Sequence, residues 1–108
     1  MSAEIPTLKQ LEYFVCIAEL KTFRGAAERL GVSQPTLSSQ MYVLEQCLDV
    51  ILLERSRKGA VLTPAGRDLL VNAREVLESM GGLINQAGMI RNGPGGTFRI
   101  GVSPTVGP

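Results

Sequence analysis

The chain has 108 residues, of which 44% are hydrophobic and 19% charged, and its formal net charge is +1. These values are typical of one folded domain with a short appendage, and the near-neutral charge means that any nucleic-acid role must depend on where the charges lie. The sequence has no histidine and no paired-carboxylate constellation, phosphate-binding loop or dinucleotide fingerprint, so we predict no catalytic residues, no metal site and no cofactor.

Two helices are predicted at the start of the chain. Thr7 and Gln10 have the spacing of a capping box, and apolar residues then recur at helical spacing to about Leu20. Thr22 restarts the pattern as the N-cap of a short second helix, which Gly31 ends.

A third helix is predicted directly after this glycine. Ser33 is its N-cap, and Pro35 lies in its first turn, where the missing N–H is harmless. A narrow buried stripe follows, formed by Leu37, Met41, Leu44 and Leu48. Because only about three residues, 31–33, separate the second helix from the third, the pattern indicates a helix-turn-helix.

The opposite face of the third helix is polar but uncharged, whereas a solvated face more typically carries Lys and Glu. Gln can pair with adenine through two hydrogen bonds, Ser and Thr can bond several bases, and a proline ring can pack on a thymine methyl. Alternatively, these residues merely cap and solubilise the helix. The residues predicted to contact DNA here are Ser33, Gln34, Pro35, Thr36, Ser38, Ser39 and Tyr42.

Two short β-prone runs, 50–55 and 60–63, are joined through Gly59 and predict a small hairpin. Beside a helix-turn-helix such a hairpin is a wing, whose cations can enter a minor groove narrowed by A·T tracts. A basic turn is also often no more than a solvated tip. The basic residues predicted to contact DNA from the wing are Arg55, Arg57 and Lys58.

Thr63 and Pro64 have the form of an N-cap followed by proline at the first helical position, and they begin a long helix. Its apolar residues alternate spacings of four and three, which is the heptad pattern of a helix that packs on a partner. The residues predicted to form a dimer interface are Leu69, Ala73, Val76, Leu77, Met80, Leu83 and Ala87. Beyond Asn92, a glycine-rich linker and a β-prone run at 97–102 predict the start of a further domain.

With these motifs in place, the sequence resembles the N-terminal domain of LysR-type transcriptional regulators. The resemblance extends from about Leu8 to Ile90 at many fixed spacings. It is carried by Phe14, Phe23, Ala26-Ala27, Leu30, Ser33-Gln34-Pro35, Leu37-Ser38, Leu44-Glu45, Leu53-Glu54-Arg55 and Leu62-Thr63-Pro64-Ala65-Gly66. The segments 7–14 and 100–108 are similar to the hydrogen-peroxide-sensing branch of that family.

The resemblance implies a mainly α fold in three parts. Residues 1–63 would form a winged helix-turn-helix of three helices and a two-stranded hairpin, and 64–92 a linker helix that dimerises. Residues 93–108 would form a hinge and the first strand of a missing effector-binding domain. The family's base-reading positions fall on Gln34, Pro35, Thr36 and Ser38, and its wing contact falls on Arg55.

The partners implied are double-stranded operator DNA, as an A·T-rich inverted repeat, and a second copy of the chain. Full-length members are usually tetramers, and a small-molecule or oxidant signal would act only through the missing C-terminal domain. An alternative stays open: a winged-helix module for protein–protein contact, with the heptad helix as its working surface. The near-neutral charge and the uncharged third helix favour that alternative.

Three features depart from the family pattern. Members commonly carry basic residues where this chain has Ser39, Tyr42 and Val43. Their usual glycine after the third helix is Asp49 here, and the linker helix is interrupted by glycines at 81–82. These departures suggest weaker DNA binding or a weaker dimer, but not another function.

Cysteine usage and the N-terminus predict where the protein works. Cys16 and Cys47 fall at apolar helical positions without CxxC spacing, so we interpret them as small hydrophobes in preference to a redox or metal pair. The sequence has no signal peptide and no run of about 18 apolar residues that could span a membrane. We therefore predict a cytoplasmic, nucleoid-associated bacterial protein without membrane contact.

Overall fold

The computed structural model describes residues 5–93, which contain four helices and one two-stranded antiparallel sheet. In chain order the elements are α1 (Leu8–Leu20), α2 (Phe23–Leu30), α3 (Gln34–Leu48), β1 (Leu53–Ser56), β2 (Gly59–Leu62) and α4 (Pro64–Asn92). The mainly α fold and the bounds predicted for the first three helices are confirmed. The strand predicted at 97–102, and all but the first residue of segment 93–108, lie outside the described residues.

The first three helices each begin at a hydroxyl side chain. Thr7 Oγ1 accepts a hydrogen bond from the N–H of Gln10 at 3.1 Å, and the Gln10 side chain accepts one from the N–H of Thr7 at 3.0 Å. This completes the predicted capping box. Thr22 and Ser33 likewise accept from the N–H three residues further on. Because these caps satisfy N–H groups that a helix start leaves unpaired, local chemistry fixes where each helix begins.

The same helices end in left-handed backbone conformations, two of them at residues with a Cβ. Asp49 has φ 59° and its N–H donates to the Glu45 carbonyl, so it caps α3 in the left-handed conformation in place of the family glycine. Lys21 has φ 67°, which the sequence did not indicate. Its carbonyl accepts a hydrogen bond from the N–H of Ala60 at 2.9 Å. That bond ties the corner between α1 and α2 to the wing.

The hydrophobic core lies in the first of two compact units, Met1–Arg74. Its largest fully buried side chains come from α1, α3 and the segment before β1, and they are Phe14, Ile17, Leu37, Leu44 and Leu52. In the stripe predicted for α3, Leu37, Met41 and Leu44 are buried and Leu48 is half-buried. The face of α3 turned away from this core is therefore the one left to solvent.

The first wing strand is shorter than the sequence predicts, and the second, Gly59–Leu62, has the predicted length but begins one residue earlier. β1 starts at Leu53, where a strand from residue 50 was expected, and it pairs Leu53 with Leu62 and Ser56 with Gly59. The reason lies in α3, because the Glu45 carboxylate accepts hydrogen bonds from the N–H groups of Leu52 at 2.8 Å and Leu53 at 3.2 Å. The segment before β1 is thus fastened to α3.

α4 continues through Gly81 and Gly82 to Asn92 without interruption. Its first part packs on the core of the first unit, with Ala73 buried and Leu69 half-buried against that core. The rest of α4 lies in the second unit, Glu75–Pro108. Packing therefore divides this helix after Arg74. No helix within residues 5–93 is long and apolar enough to cross a lipid bilayer.

Candidate nucleic-acid interface

Seven residues predicted to contact DNA lie along the N-terminal half of α3 and its cap, and we call them the α3 surface. Six of them are exposed and Ser38 is half-buried. The members are Ser33, Gln34, Pro35, Thr36, Ser38, Ser39 and Tyr42. Tyr42 is large and partly apolar, yet 63% of it is exposed. The surface thus presents hydroxyl, amide and apolar groups, without any formal charge.

The hydroxyls at the start of α3 already have a structural task. Ser33 Oγ accepts from the N–H of Thr36 at 3.2 Å and also bonds Thr36 Oγ1 at 2.9 Å. Capping thus accounts for these two side chains. Within residues 5–93, the side chains of Gln34, Ser39 and Tyr42 form no hydrogen bond to the protein. Those three polar groups are free to meet a ligand.

Arg55, on β1, contacts both helices of the helix-turn-helix. Its guanidinium carbon lies 3.8 Å from the centroid of the Phe23 ring, at the start of α2. One guanidinium nitrogen, Nη2, donates a hydrogen bond to Ser38 Oγ on α3. Arg55 was predicted to lie on the wing, but its contacts with Phe23 and Ser38 were not predicted. Residues 23, 38 and 55 meet only in the tertiary fold.

Arg57 and Lys58 form the two-residue tip between β1 and β2, and both are exposed. Ser56 Oγ accepts from the N–H of Lys58 at 3.2 Å and donates to the Gly59 carbonyl at 3.3 Å, which shapes the turn. Gly59 has φ 132°, and a Cβ there would collide with the Lys21 carbonyl oxygen. The tip cations are therefore carried on a turn with a defined backbone.

Three other arginines of the first unit lie in exposed ion pairs. Arg24 lies 3.7 Å from Glu28, and Glu19 pairs with Arg29 at 4.0 Å and with Arg74 at 3.5 Å. Exposed pairs contribute little to stability, but they offset the positive charge of these arginines. Within residues 5–93, the three cations of the wing, Arg55, Arg57 and Lys58, form no ion pair with a carboxylate.

The residues predicted for a dimer interface fall into two environments. Ala73 is 3% exposed in the core of its own chain, and Leu69 is half-buried against that core, so both have less surface left for a partner. Further along α4, Val76 is 44% and Leu83 63% exposed. Ala87 is exposed, and Leu77 and Met80 are half-buried. Of these seven residues, the exposed ones, Val76, Leu83 and Ala87, all lie beyond Arg74.

Neither cysteine lies in a reactive setting comparable to a redox or metal site. Cys16 and Cys47 are both free thiols. Burial raises the pKa of the Cys16 thiol, an effect that Arg29 partly opposes and Glu19 adds to. Within residues 5–93 no three His, Cys, Asp or Glu side chains cluster in a way that could hold a metal ion. The α3 surface and the wing therefore present hydrogen-bonding groups and positive charge to a ligand.

Three helices, a hairpin after the third, and a polar face at the start of that third helix define a winged helix-turn-helix domain. Residues 8–67 match the family described as bacterial regulatory helix-turn-helix protein, lysR family. This match covers more than half of the chain, and the chain belongs to that family.

Curated relatives and solved structures agree with this assignment. The chain is 43% identical over 103 residues to the probable hydrogen peroxide-inducible genes activator of Streptomyces viridosporus, covering 95% of this chain and 33% of that protein. The oxidized form of Corynebacterium glutamicum OxyR matches with a TM-score of 0.76 and 43% identity over 80% of this chain and 28% of that one. The DNA complex of the CbnR DNA-binding domain matches with a TM-score of 0.67 and 45% identity, over 76% and 90% respectively. The chain spans about a third of the length of the curated relatives it matches.

Proposed function

We propose that this chain is the DNA-binding part of a bacterial LysR-type transcriptional regulator, which reads double-stranded DNA sequence-specifically. The observation that carries the proposal is the α3 surface, an exposed and uncharged polar face placed next to a basic wing tip. A face of this kind suits base edges in a major groove, while the wing suits the adjacent minor groove. The solved DNA complex of the related CbnR domain supports the same use of the fold.

Within this proposal the contacts divide by chemistry. Gln34, Ser39 and Tyr42 have free polar groups for base edges, and Pro35 offers an apolar contact to a thymine methyl. Ser33, Thr36 and the first N–H groups of α3 lie where a phosphate could bind. Arg57 and Lys58 approach the minor groove or its phosphates. Ser38 and Arg55, which are hydrogen-bonded to each other, act as a pair.

We further infer that the chain dimerises through the second part of α4. Large apolar side chains are exposed there, and solvent-exposed apolar stripes on a long helix are typical of helix pairing. The exposed members are Val76, Leu83, Ile84, Met89 and Ile90. A two-fold symmetric dimer would read an inverted repeat, which we expect to be A·T-rich because narrow A·T minor grooves favour wing cations.

A second proposal concerns the full-length regulator. Relatives named hydrogen peroxide-inducible genes activators are about three times as long as the matched segment. We propose that this chain likewise belongs to a peroxide-responsive regulator, tetrameric at full length. Its oxidant or small-molecule signal would enter through the C-terminal part. Such a regulator would work in the cytoplasm at the nucleoid, and the chain itself would catalyse no reaction.

The test is binding of this chain to two fluorescent duplexes, an A·T-rich inverted repeat and a scrambled duplex, across a salt series. We expect tighter binding to the inverted repeat and a log K that falls with log salt by about 0.9 per phosphate neutralised. Equal, salt-sensitive binding to both duplexes would leave the sequence specificity unsupported. A folded dimeric sample that binds neither duplex at low salt would favour the protein-contact alternative, for which the exposed apolar face of α4 is the supporting observation.

A further inference from the structure

Ser38 and Arg55 join the α3 surface to the wing. Arg55 Nη2 donates to Ser38 Oγ, and the guanidinium carbon is held 3.8 Å from the Phe23 ring centroid. A cation over an aromatic face is attracted by the ring quadrupole. Arg55 is therefore held in place by two contacts of different kinds, on α2 and on α3.

The direction of the Ser38–Arg55 hydrogen bond is fixed by chemistry. A guanidinium has five N–H donors and no acceptor, so Ser38 Oγ must be the acceptor and its own proton must point elsewhere. Within residues 5–93 no protein acceptor is hydrogen-bonded to that hydroxyl. Ser38 is half-buried at the edge of the α3 surface, so the proton is available to a ligand on that side.

The charge of Arg55 also biases what the hydroxyl can bind. Hydrogen bonds polarise one another, and a donor with positive charge strengthens the O–H of the group that accepts from it. The same charge disfavours a second N–H approaching the Ser38 oxygen. An unconstrained serine could donate to one base or accept from another, whereas this one is set as a donor.

We propose that Arg55 is a positioning residue that fixes Ser38 as a hydrogen-bond donor to an acceptor on a base edge in the major groove. The acceptors exposed there are N7 and O6 of guanine, N7 of adenine and O4 of thymine. This inference rests on the proposed function. It assigns minor-groove contact to Arg57 and Lys58 at the tip, where no contact with α2 or α3 restrains the cation.

The experiment is selection from a duplex library with a randomised centre, using the unsubstituted 108-residue chain and the variants Ser38→Ala and Arg55→Met. We expect both variants to lose base preference at the same base pair of each half-site and to keep it elsewhere. Affinity for the best natural duplex should fall about fivefold to tenfold in each, the value of one hydrogen bond. A variant Arg55→Met that keeps the preference lost in Ser38→Ala would overturn the inference.

Two further variants separate positioning from simple charge. Arg57→Met removes a cation that, like Arg55, is exposed but that forms no hydrogen bond to α3. This variant should bind all duplexes more weakly to the same extent, without a change in any base preference. Arg55→Lys keeps a donor-only cation and should retain the preference. Loss of preference in Arg55→Lys to the same extent as in Arg55→Met would contradict the donor argument.

The double variant Ser38→Ala with Arg55→Met tests whether the two residues act as a unit. The effects of substituting two coupled residues do not add. We therefore expect the affinity of the double variant to fall no further than that of the single variant that binds DNA less tightly. If the affinity of the double variant falls by the product of the two single-variant losses, the inference is overturned. Loss of the preference for A·T-rich flanks in Arg55→Met alone would also overturn it. If the unsubstituted chain enriches no sequence at all, the proposed function itself fails. Matching thermal unfolding curves establish that each variant is folded.

Discussion

Glu45 connects α3 with the segment that leads into the wing through a single carboxylate. Its oxygen accepts from two backbone N–H groups, at Leu52 and Leu53. We expect Glu45→Ala to lower the free energy of unfolding by about 1–3 kcal/mol, because two N–H groups would lose their partner. Urea denaturation measures this change. Gln46→Ala alters the exposed neighbouring side chain and should change stability little; equal losses in both variants would contradict the role given to Glu45.

Gln34 is the residue from which we expect the clearest effect on base reading. It is exposed at the first position of α3, and an amide can bond adenine at two atoms. Gln34→Ala should cost about 1–3 kcal/mol of binding free energy and relax the preference at one base pair. Competition binding with single-substituted duplexes measures both effects. Uniform weakening across all duplexes would show that Gln34 contacts only the backbone.

The two thiols should differ in reactivity. Cys16 is buried, and this burial raises the pKa of its thiol, whereas Cys47 is half-buried. Since the thiolate is the nucleophile, we expect iodoacetamide to alkylate Cys47 first and Cys16 only after unfolding. Mass spectrometry of the time course measures the order. A Cys47→Ser chain that is labelled quickly in its native state would contradict this assignment.

Residue-scale features were predictable from sequence when they depend on neighbours in the chain. The caps at Thr7, Thr22 and Ser33 bond N–H groups three positions away, so spacing alone reveals them. The contacts of Glu45 and Arg55 join residues 7 to 32 positions apart. No periodicity encodes those distances, so only the fold brings such residues together.

At the level of elements, α4 offers two helical glycines in opposite surroundings. A Cβ on Gly66 would collide with the Leu52 carbonyl oxygen, whereas one on Gly81 would meet no atom within 4 Å. We expect Gly66→Ala to destabilise the chain by about 1–3 kcal/mol through overpacking. Gly81→Ala should stabilise α4 by up to about 1 kcal/mol, because alanine is the better helix former. Thermal unfolding of both variants measures the difference, and a stabilising Gly66→Ala would show that the close approach is not rigid.

The wing shows where element prediction from sequence is limited. Its turn and basic tip were predictable from Gly59 and the charges around it. The start of β1 was not, since residues 50–52 are as β-prone as the strand itself. Two of their N–H groups bond to Glu45 on α3 instead, that of Val50 to its backbone carbonyl at 3.3 Å and that of Leu52 to its carboxylate at 2.8 Å.

At the level of the whole molecule, the second part of α4 determines the oligomeric state that we propose. Leu83→Asp places a charge in the apolar stripe, and burying an unpaired charge in a dimer is costly. We expect this variant to be monomeric and folded, since Leu83 is already exposed within one chain. Sedimentation velocity measures the dimer fraction.

The matched control for this variant is Asn85→Asp, which adds the same charge at an exposed position off the heptad seam. It should leave the dimer intact. A Leu83→Asp sample that sediments like the unsubstituted chain would mean that the apolar stripe is not the interface.

The heptad pattern predicted an apolar stripe correctly but could not say what covers each half of it. Ala73 and Val76 occupy successive seam positions, yet the first is buried in its own chain and the second is exposed. Periodicity is the same whether a helix packs on its own domain or on another chain. The division after Arg74 is therefore a property of tertiary packing.

The two close approaches at Gly59 and Gly66 have a consequence for how this domain can change over time. Gly59, at the start of β2, lies against the Lys21 carbonyl, and Gly66, in the first turn of α4, lies against the Leu52 carbonyl. Residues 57–58 take part in neither approach and are exposed at the tip of the hairpin. Substitutions or short insertions at 57–58 can therefore alter what the wing contacts, without disturbing the base on which it stands. New minor-groove preferences can arise at this tip while the rest of the domain keeps its packing.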